Sequence, residues 1–162
     1  MKPKLTSSLC YMAGLQSKAH EERSAVGVYT GLESLEQRFI EIAIKELGIE
    51  PNRIVIRDAG GGMRHILFYH SRIAKRLREI VDKSDRIFKR RNELAGAYVA
   101  GMFDAAGHKD ARGLYIKKIE PKDAVLLQNL EIYTRGNRIT NAGSFMELAR
   151  GFSLLLKAFN LP

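Results

Sequence analysis

The chain has a single cysteine, Cys10, four prolines, and no apolar run near the ~20 residues that span a bilayer. One cysteine excludes a disulfide framework and a thiolate metal cluster, and Cys10 reads as a small helix residue. The N-terminal stretch MKPKLTSSLC leads into no long apolar segment and no cleavage site, so no signal peptide is expected. These absences fit a reducing interior and a cytoplasmic protein. No Ser-His-Asp or Cys-His arrangement stands out. The run Gly60-Gly61-Gly62 lies between two predicted strands, with no following helix and no Lys-Ser/Thr, so it reads as a turn rather than a phosphate loop.

Acidic residues are also scarce. Lys and Arg number 27 against 18 Asp and Glu, giving a net charge of +9 and a pI near 9.8. Residues 71–91 alone carry nine basic and three acidic side chains. Such a balance favours a polyanion: DNA, RNA or an anionic membrane. A membrane is disfavoured, because Ile73, Ala74, Leu77, Ile80 and Val81 form a core-facing stripe. The bland reading is a solvated basic helix face. At 162 residues and 45% hydrophobic content, the chain fits one compact domain or two closely packed halves.

What is present is a repeat. Tyr-x-Ala-Gly occurs at Tyr11–Gly14 and at Tyr98–Gly101, and each is followed by a Gly-x-Tyr segment, ending at Tyr29 and Tyr115. Asn52-Arg53-Ile54 is answered by Asn137-Arg138-Ile139, and Asp58-Ala59-Gly60 by Asn141-Ala142-Gly143. The spacing shrinks from 87 to 83 along the chain, as small deletions would make it. Two such units are expected to pack about a pseudo-twofold axis. Ala13 and Gly14 would face Ala100 and Gly101 there, because small residues let helix backbones approach closely.

Within the first unit we expect a helix over 7–19 capped by Ser7 or Ser8, a strand over 24–30, and a helix over 32–47 closed by Gly48. A hairpin around Gly60–Gly62 and a basic helix over 71–83 follow. In the second unit we expect a helix over 91–103, a strand over 113–119, and a helix over 121–133 opened by Pro121. A shortened strand region over 137–145 and a terminal helix over 147–159 complete it. Strand alternation turns Val26, Val28, Leu114 and Ile116 inward and Tyr29, Tyr115 and Lys117 outward. With Ile54 and Ile56 inward, Arg53 and Arg57 face out, and Arg138 matches Arg53. Residues 63–70 are apolar on both faces, which leaves Arg64, His65 and His70 ambiguous.

The two motifs, MAGLQSKAH (Met12–His20) and VAGMFDAAG (Val99–Gly107), resemble those of the LAGLIDADG homing endonuclease family. The likeness extends over nearly the whole chain through the element order. It implies an α+β fold of two αββαββα units with saddle-shaped antiparallel sheets. The repeats would span 1–83 and 92–162, joined by a basic linker over 84–91, in a monomer with two pseudo-symmetric halves. It implies duplex DNA held along the sheets in the major groove. It also implies an acid near the end of each motif helix that binds a divalent metal. Those positions fall here on Ala19 and Ala106, and alanine offers a hard cation no oxygen donor.

The expectation is therefore a DNA-binding protein of this fold that has lost its nuclease centre, with no cofactor and no membrane partner. The rival is an active Mg²⁺-dependent endonuclease using Asp104, Glu21 or Asp110. For these acids the bland readings are helix packing for Asp104 and solvated loop charge for the other two. His20 and His108, at nearly equivalent places, either pair centrally or act as polar caps. A second rival is a maturase-like binder of structured RNA. For the nucleic-acid surface the candidates are Tyr29, Arg53, Arg57, Arg64, Tyr115, Lys117 and Arg138. Lys89, Arg90 and Arg91 are expected to touch phosphates.

Overall fold

A computed structural model describes residues 4–159; the first three residues of the N-terminal stretch and the last three of the second repeat lie outside them. Two helices, α1 (Ser7–Ser17) and α5 (Glu93–Ala106), form the centre. α1 is buried continuously from Leu9 to Leu15 and α5 from Ala95 to Asp104, so neither presents a polar face. A helix apolar all round must be covered on every side. Each covers the other, and they cross at the paired glycines. A Cβ on Gly14 would overlap the Tyr98 carbonyl, and one on Gly101 would overlap the Tyr11 carbonyl. Ala13 and Ala100 are fully buried beside them. The repeat thus marks a reciprocal backbone contact.

The first unit runs α1, β1 (Ala25–Thr30), α2 (Glu33–Lys45), a 3₁₀ turn (Pro51–Arg53), β2 (Val55–Gly60), β3 (Met63–Tyr69) and α3 (Ser71–Asp82). Gly48 at φ 70° ends α2, and Gly60, Gly61 and Gly62 all have positive φ in the hairpin turn. A short helix α4 (Ser84–Ile87) follows. The second unit runs α5, β4 (Gly107–Asp110), β5 (Gly113–Ile116), α6 (Pro121–Asn129), β6 (Thr134–Arg135), β7 (Arg138–Ile139), α7 (Ala142–Ala149) and α8 (Leu154–Ala158). Both sheets are antiparallel, in the orders β1-β3-β2 and β4-β5-β7-β6. Without β4 the two orders coincide, with β1, β3 and β2 answering β5, β7 and β6.

The first unit is therefore one strand short. Residues 18–24 take no strand where the second unit has β4. The Gln16 amide compensates at the exposed edge of β1. Its Nε2 donates to Gly27 O at 2.8 Å, and its Oε1 accepts from Gly27 N at 3.4 Å. One side chain thus occupies the donor and acceptor that a neighbouring strand would have used.

Several expectations are corrected here. The cap of α1 is Thr6, whose hydroxyl accepts from Leu9 N at 3.1 Å, rather than Ser7 or Ser8. β4 is not marked by alternation, because Gly-His-Lys-Asp carries none, although an αββαββα unit implies a strand there. The terminal helix is two helices, since Ser153 breaks the chain and caps α8 through Leu156 N. The Asn-Arg-Ile and Asx-Ala-Gly repeats do not occupy equivalent elements. Arg53 lies in the 3₁₀ turn and Arg138 in β7; Asp58–Gly60 end β2, whereas Ala142 and Gly143 open α7. Residues 84–91, between the two repeats, pack against the core: Phe88 is buried and stacks on Tyr98 with ring centroids 4.6 Å apart.

Candidate nucleic-acid interface

Cross-strand register lines up polar and aromatic side chains on the sheet faces turned away from the helices. In the first sheet Val28, Ile66 and Ile56 share the helix side, so Tyr29, His65 and Arg57 form a row on the other face. In the second sheet Leu114 and Ile116 are buried against the helices, and His108, Tyr115, Arg138 and Arg135 form the outer row. Each row holds a stacked Tyr–His pair. Tyr29 and His65 lie 3.9 Å apart at 5°, and His108 and Tyr115 lie 5.1 Å apart at 20°. Tyr29 is 49% exposed.

Each row is also braced by a carboxylate from the segment just after the motif helix. Glu21 Oε1 lies 2.8 Å from His65 Nε2, and its carboxylate lies against Gly27, where a Cβ would come within 2.6 Å of Oε1 and 2.9 Å of Leu67 Cβ. Asp110 takes both Nη groups of Arg138, at 2.9 and 2.7 Å. The Arg138 guanidinium lies 5.4 Å from the centre of the Tyr115 ring. Those bonds hold the Asp110 carboxyl down to about 2, with Arg112 N adding a further bond at 2.8 Å. Partial burial, and then the Lys117 charge, push His108 below the ordinary histidine range.

The sequence candidates divide accordingly. Tyr29, Arg57, Tyr115 and Arg138 lie in the outer rows, and Lys117 is exposed at the end of β5. Lys89 and Arg90 are exposed after α4. Arg53 is exposed but sits in the 3₁₀ turn, off the strand expected to carry it. Ile56 was expected in the core and is 42% exposed, because β2 is an edge strand. Arg64 falls on the helix side with Ile66 and Phe68, and reaches Glu36 on α2 at 3.0 Å. Arg91 is not a loose linker charge. It donates to Leu130 O at 2.7 Å and to Ser144 Oγ and O at 2.9 Å each, tying α5 to α6 and α7. His70 caps α3 by accepting from Ile73 N at 3.2 Å.

Two row members, His108 and Arg135, were not picked from the sequence as nucleic-acid contacts. Each lies in a strand of four residues or fewer, where alternation has no length to register. His65 was ambiguous because Leu67 looked outward. Leu67 does share that face, yet it is 2% exposed beside the Glu21 carboxylate and Gly27.

Asp104 is 7% exposed and accepts four hydrogen bonds: Tyr11 Oη at 2.5 Å, Ser153 Oγ at 2.6 Å, Leu154 N at 3.0 Å and Leu155 N at 3.1 Å. It anchors the start of α8 to the central helix pair. Ala19 follows α1 and Ala106 ends α5, while His20 is exposed in the segment between α1 and β1. Lys18, beside Ala19, is bonded to Lys118 O and forms an ion pair with Asp123. Among the described residues no three His, Cys, Asp or Glu side chains gather as a metal site. Burial pushes the Cys10 thiol up to about 11, which keeps it protonated and unreactive. No described helix is long and apolar enough to cross a membrane.

No protein-family model matches the sequence, and no curated protein matches it. Solved structures do. A variant of I-DmoI in complex with its target DNA, in the presence of 2 mM Mn, superposes with a TM-score of 0.64 at 15% identity, covering 90% of this chain and 94% of that one. A mesophilic variant of the homing endonuclease I-DmoI gives 0.62 at 14% identity, over 90% and 98%. Another I-DmoI variant with target DNA and 2 mM Mg gives 0.63 at 14%, over 89% and 96%. At such identities the likeness is one of fold: this chain folds as a single-chain LAGLIDADG homing endonuclease does.

Proposed function

We propose that the protein binds double-stranded DNA across the outer faces of its two sheets and lacks a family-type nuclease centre. The observation that carries this reading is the pair of rows, Tyr29–His65–Arg57 and His108–Tyr115–Arg138–Arg135. Arginine forks suit guanine edges and phosphates, and outward aromatic rings suit sugar and base faces. The basic balance of the chain supplies the attraction, and salt must weaken it. The I-DmoI relatives of the same fold were solved on their target DNA, which supports duplex DNA as the ligand class.

I-DmoI has been solved with DNA together with Mn or Ca. The residues of this chain do not fit such an ion at the helix ends. Ala19 and Ala106 stand at the family's acid positions and have no side-chain oxygen. The three acids that could rival those positions are engaged elsewhere: Glu21 with His65, Asp104 with the start of α8, and Asp110 with Arg138. Binding without cleavage is the function left to this arrangement.

The test is selection from a random duplex pool, with and without Mg²⁺, followed by sequencing of the bound fragments. The expected result is one long, asymmetric enriched site with intact ends in both arms. Cutting in the Mg²⁺ arm alone would overturn the loss of the nuclease. Absence of any enriched site would overturn duplex recognition, and preference for folded RNA would replace it.

A further inference from the structure

The acids that follow the two motif helices do not reach for a shared centre. Each turns onto the outer face of its own sheet and grips one member of the reader row. In the first sheet Glu21 holds His65 on β3, and in the second Asp110 holds Arg138 on β7. By strand order β3 and β7 are equivalent, so the brace recurs at one place in both units. The second brace has the sharper geometry. Arg138 donates from Nη1 and Nη2 to the two oxygens of one carboxylate, and its guanidinium lies over Tyr115, which His108 backs from the neighbouring strand.

We infer that Arg138 is a specificity-determining residue that reads a guanine in the half-site facing the second sheet, with Asp110 as its positioning residue. This rests on the duplex-binding reading above. A fork-to-fork pair engages one N–H on each Nη and leaves the other N–H bonds of the guanidinium free for O6 and N7 of guanine. The brace and the ring fix one rotamer before DNA arrives, which removes much of the ordering cost of a long side chain. The pair is also neutral as a unit. It contributes little to phosphate attraction, so its use is directional rather than electrostatic. Arg57 and Arg135 have no such brace among the described residues, which suits them to adaptable backbone contact.

Neutrality supplies the test. Arg138→Gln combined with Asp110→Asn keeps the net charge of the protein and removes the braced fork. The duplex selection is repeated with the wild type, this double variant and Asp110→Asn alone. For the wild type we expect one guanine position preferred by roughly 5- to 150-fold over other bases. The double variant should lose that preference, keep the rest of the site, and keep the slope of affinity against salt. Asp110→Asn alone should weaken the same position while tightening binding to unrelated duplexes, because one negative charge is gone. A double variant that retains every preference, or loses them uniformly, overturns the inference and leaves duplex recognition standing. A wild type that enriches no site overturns both.

Discussion

Alanine at Gly14 or at Gly101 is expected to unfold the protein. A Cβ on Gly14 would overlap the Tyr98 carbonyl oxygen and come within 2.9 Å of Met102 N; one on Gly101 would overlap the Tyr11 carbonyl oxygen and come within 3.0 Å of Leu15 N. These are backbone atoms in the middle of helices, so no rotamer change relieves the clash. The helices must move apart, and that opens the contact along Ala13 and Ala100, both fully buried. We expect a cost above ~4 kcal/mol, in the exceptional range for one substitution. A domain of this kind has only ~5–15 kcal/mol in total. Gly143→Ala is the control, because its Cβ would enter open space within α7. It should be neutral or stabilising by about 0.5–1 kcal/mol. Urea unfolding followed by circular dichroism measures both. A Gly14→Ala protein within ~1 kcal/mol of the wild type would mean the helix pair does not cross as described.

The second large effect is expected at Asp104. Alanine there leaves Tyr11 Oη, Ser153 Oγ and the amides of Leu154 and Leu155 without their acceptor. Buried donors without partners cost ~1–3 kcal/mol each, and water entering around α8 offsets part of this. A loss on the order of 3–4 kcal/mol follows. Asparagine preserves the shape but turns a donor toward donors, for about 1–3 kcal/mol. The pH dependence separates the two effects. Burial raises the Asp104 carboxyl above its usual range, against the pull of the Ser153, Tyr11, Leu154 and Leu155 bonds. The folded protein therefore holds this proton to higher pH than the unfolded chain. Its contribution is fully present below the unfolded value and is lost as pH rises through the raised folded value. Unfolding free energy measured through that window should slope downward with pH in the wild type and be flatter in Asp104→Asn. Equal slopes would show that Asp104 is ionised throughout.

Much of the centre was legible because the repeat is literal there. Tyr-x-Ala-Gly places Gly14 and Gly101 in register, and that register is the helix crossing itself. The outward tyrosines were legible from alternation, since Val26, Val28, Leu114 and Ile116 point the other way. The failures have physical causes. Matching Asn-Arg-Ile by letters linked Arg53 to Arg138, whereas strand order answers Arg138 with His65 and Arg135 with Arg57. Arg64 stays ambiguous in the sequence because its partner, Glu36, lies in a different element, 28 residues away. Arg91, expected to touch phosphates, is instead bonded within the chain, and its acceptors are largely backbone carbonyls, which no sequence pattern marks. The roles of Glu21 and Asp110 depend on which face of a sheet a short segment turns onto. That is set by tertiary packing rather than by local pattern.

The most direct test of binding across the sheets compares two charge reversals of equal size. Arg57→Glu with Arg135→Glu alters the outer rows; Arg72→Glu with Lys75→Glu alters the exposed basic face of α3, off both sheets. Affinity for a duplex from the enriched pool is measured for both at one salt concentration. Net charge changes identically, so a purely non-directional attraction predicts equal losses. Recognition along the sheets predicts a loss at least ~10-fold greater for the outer-row variant. Equal losses, or a greater loss from the α3 variant, would contradict the placement of DNA on the sheets.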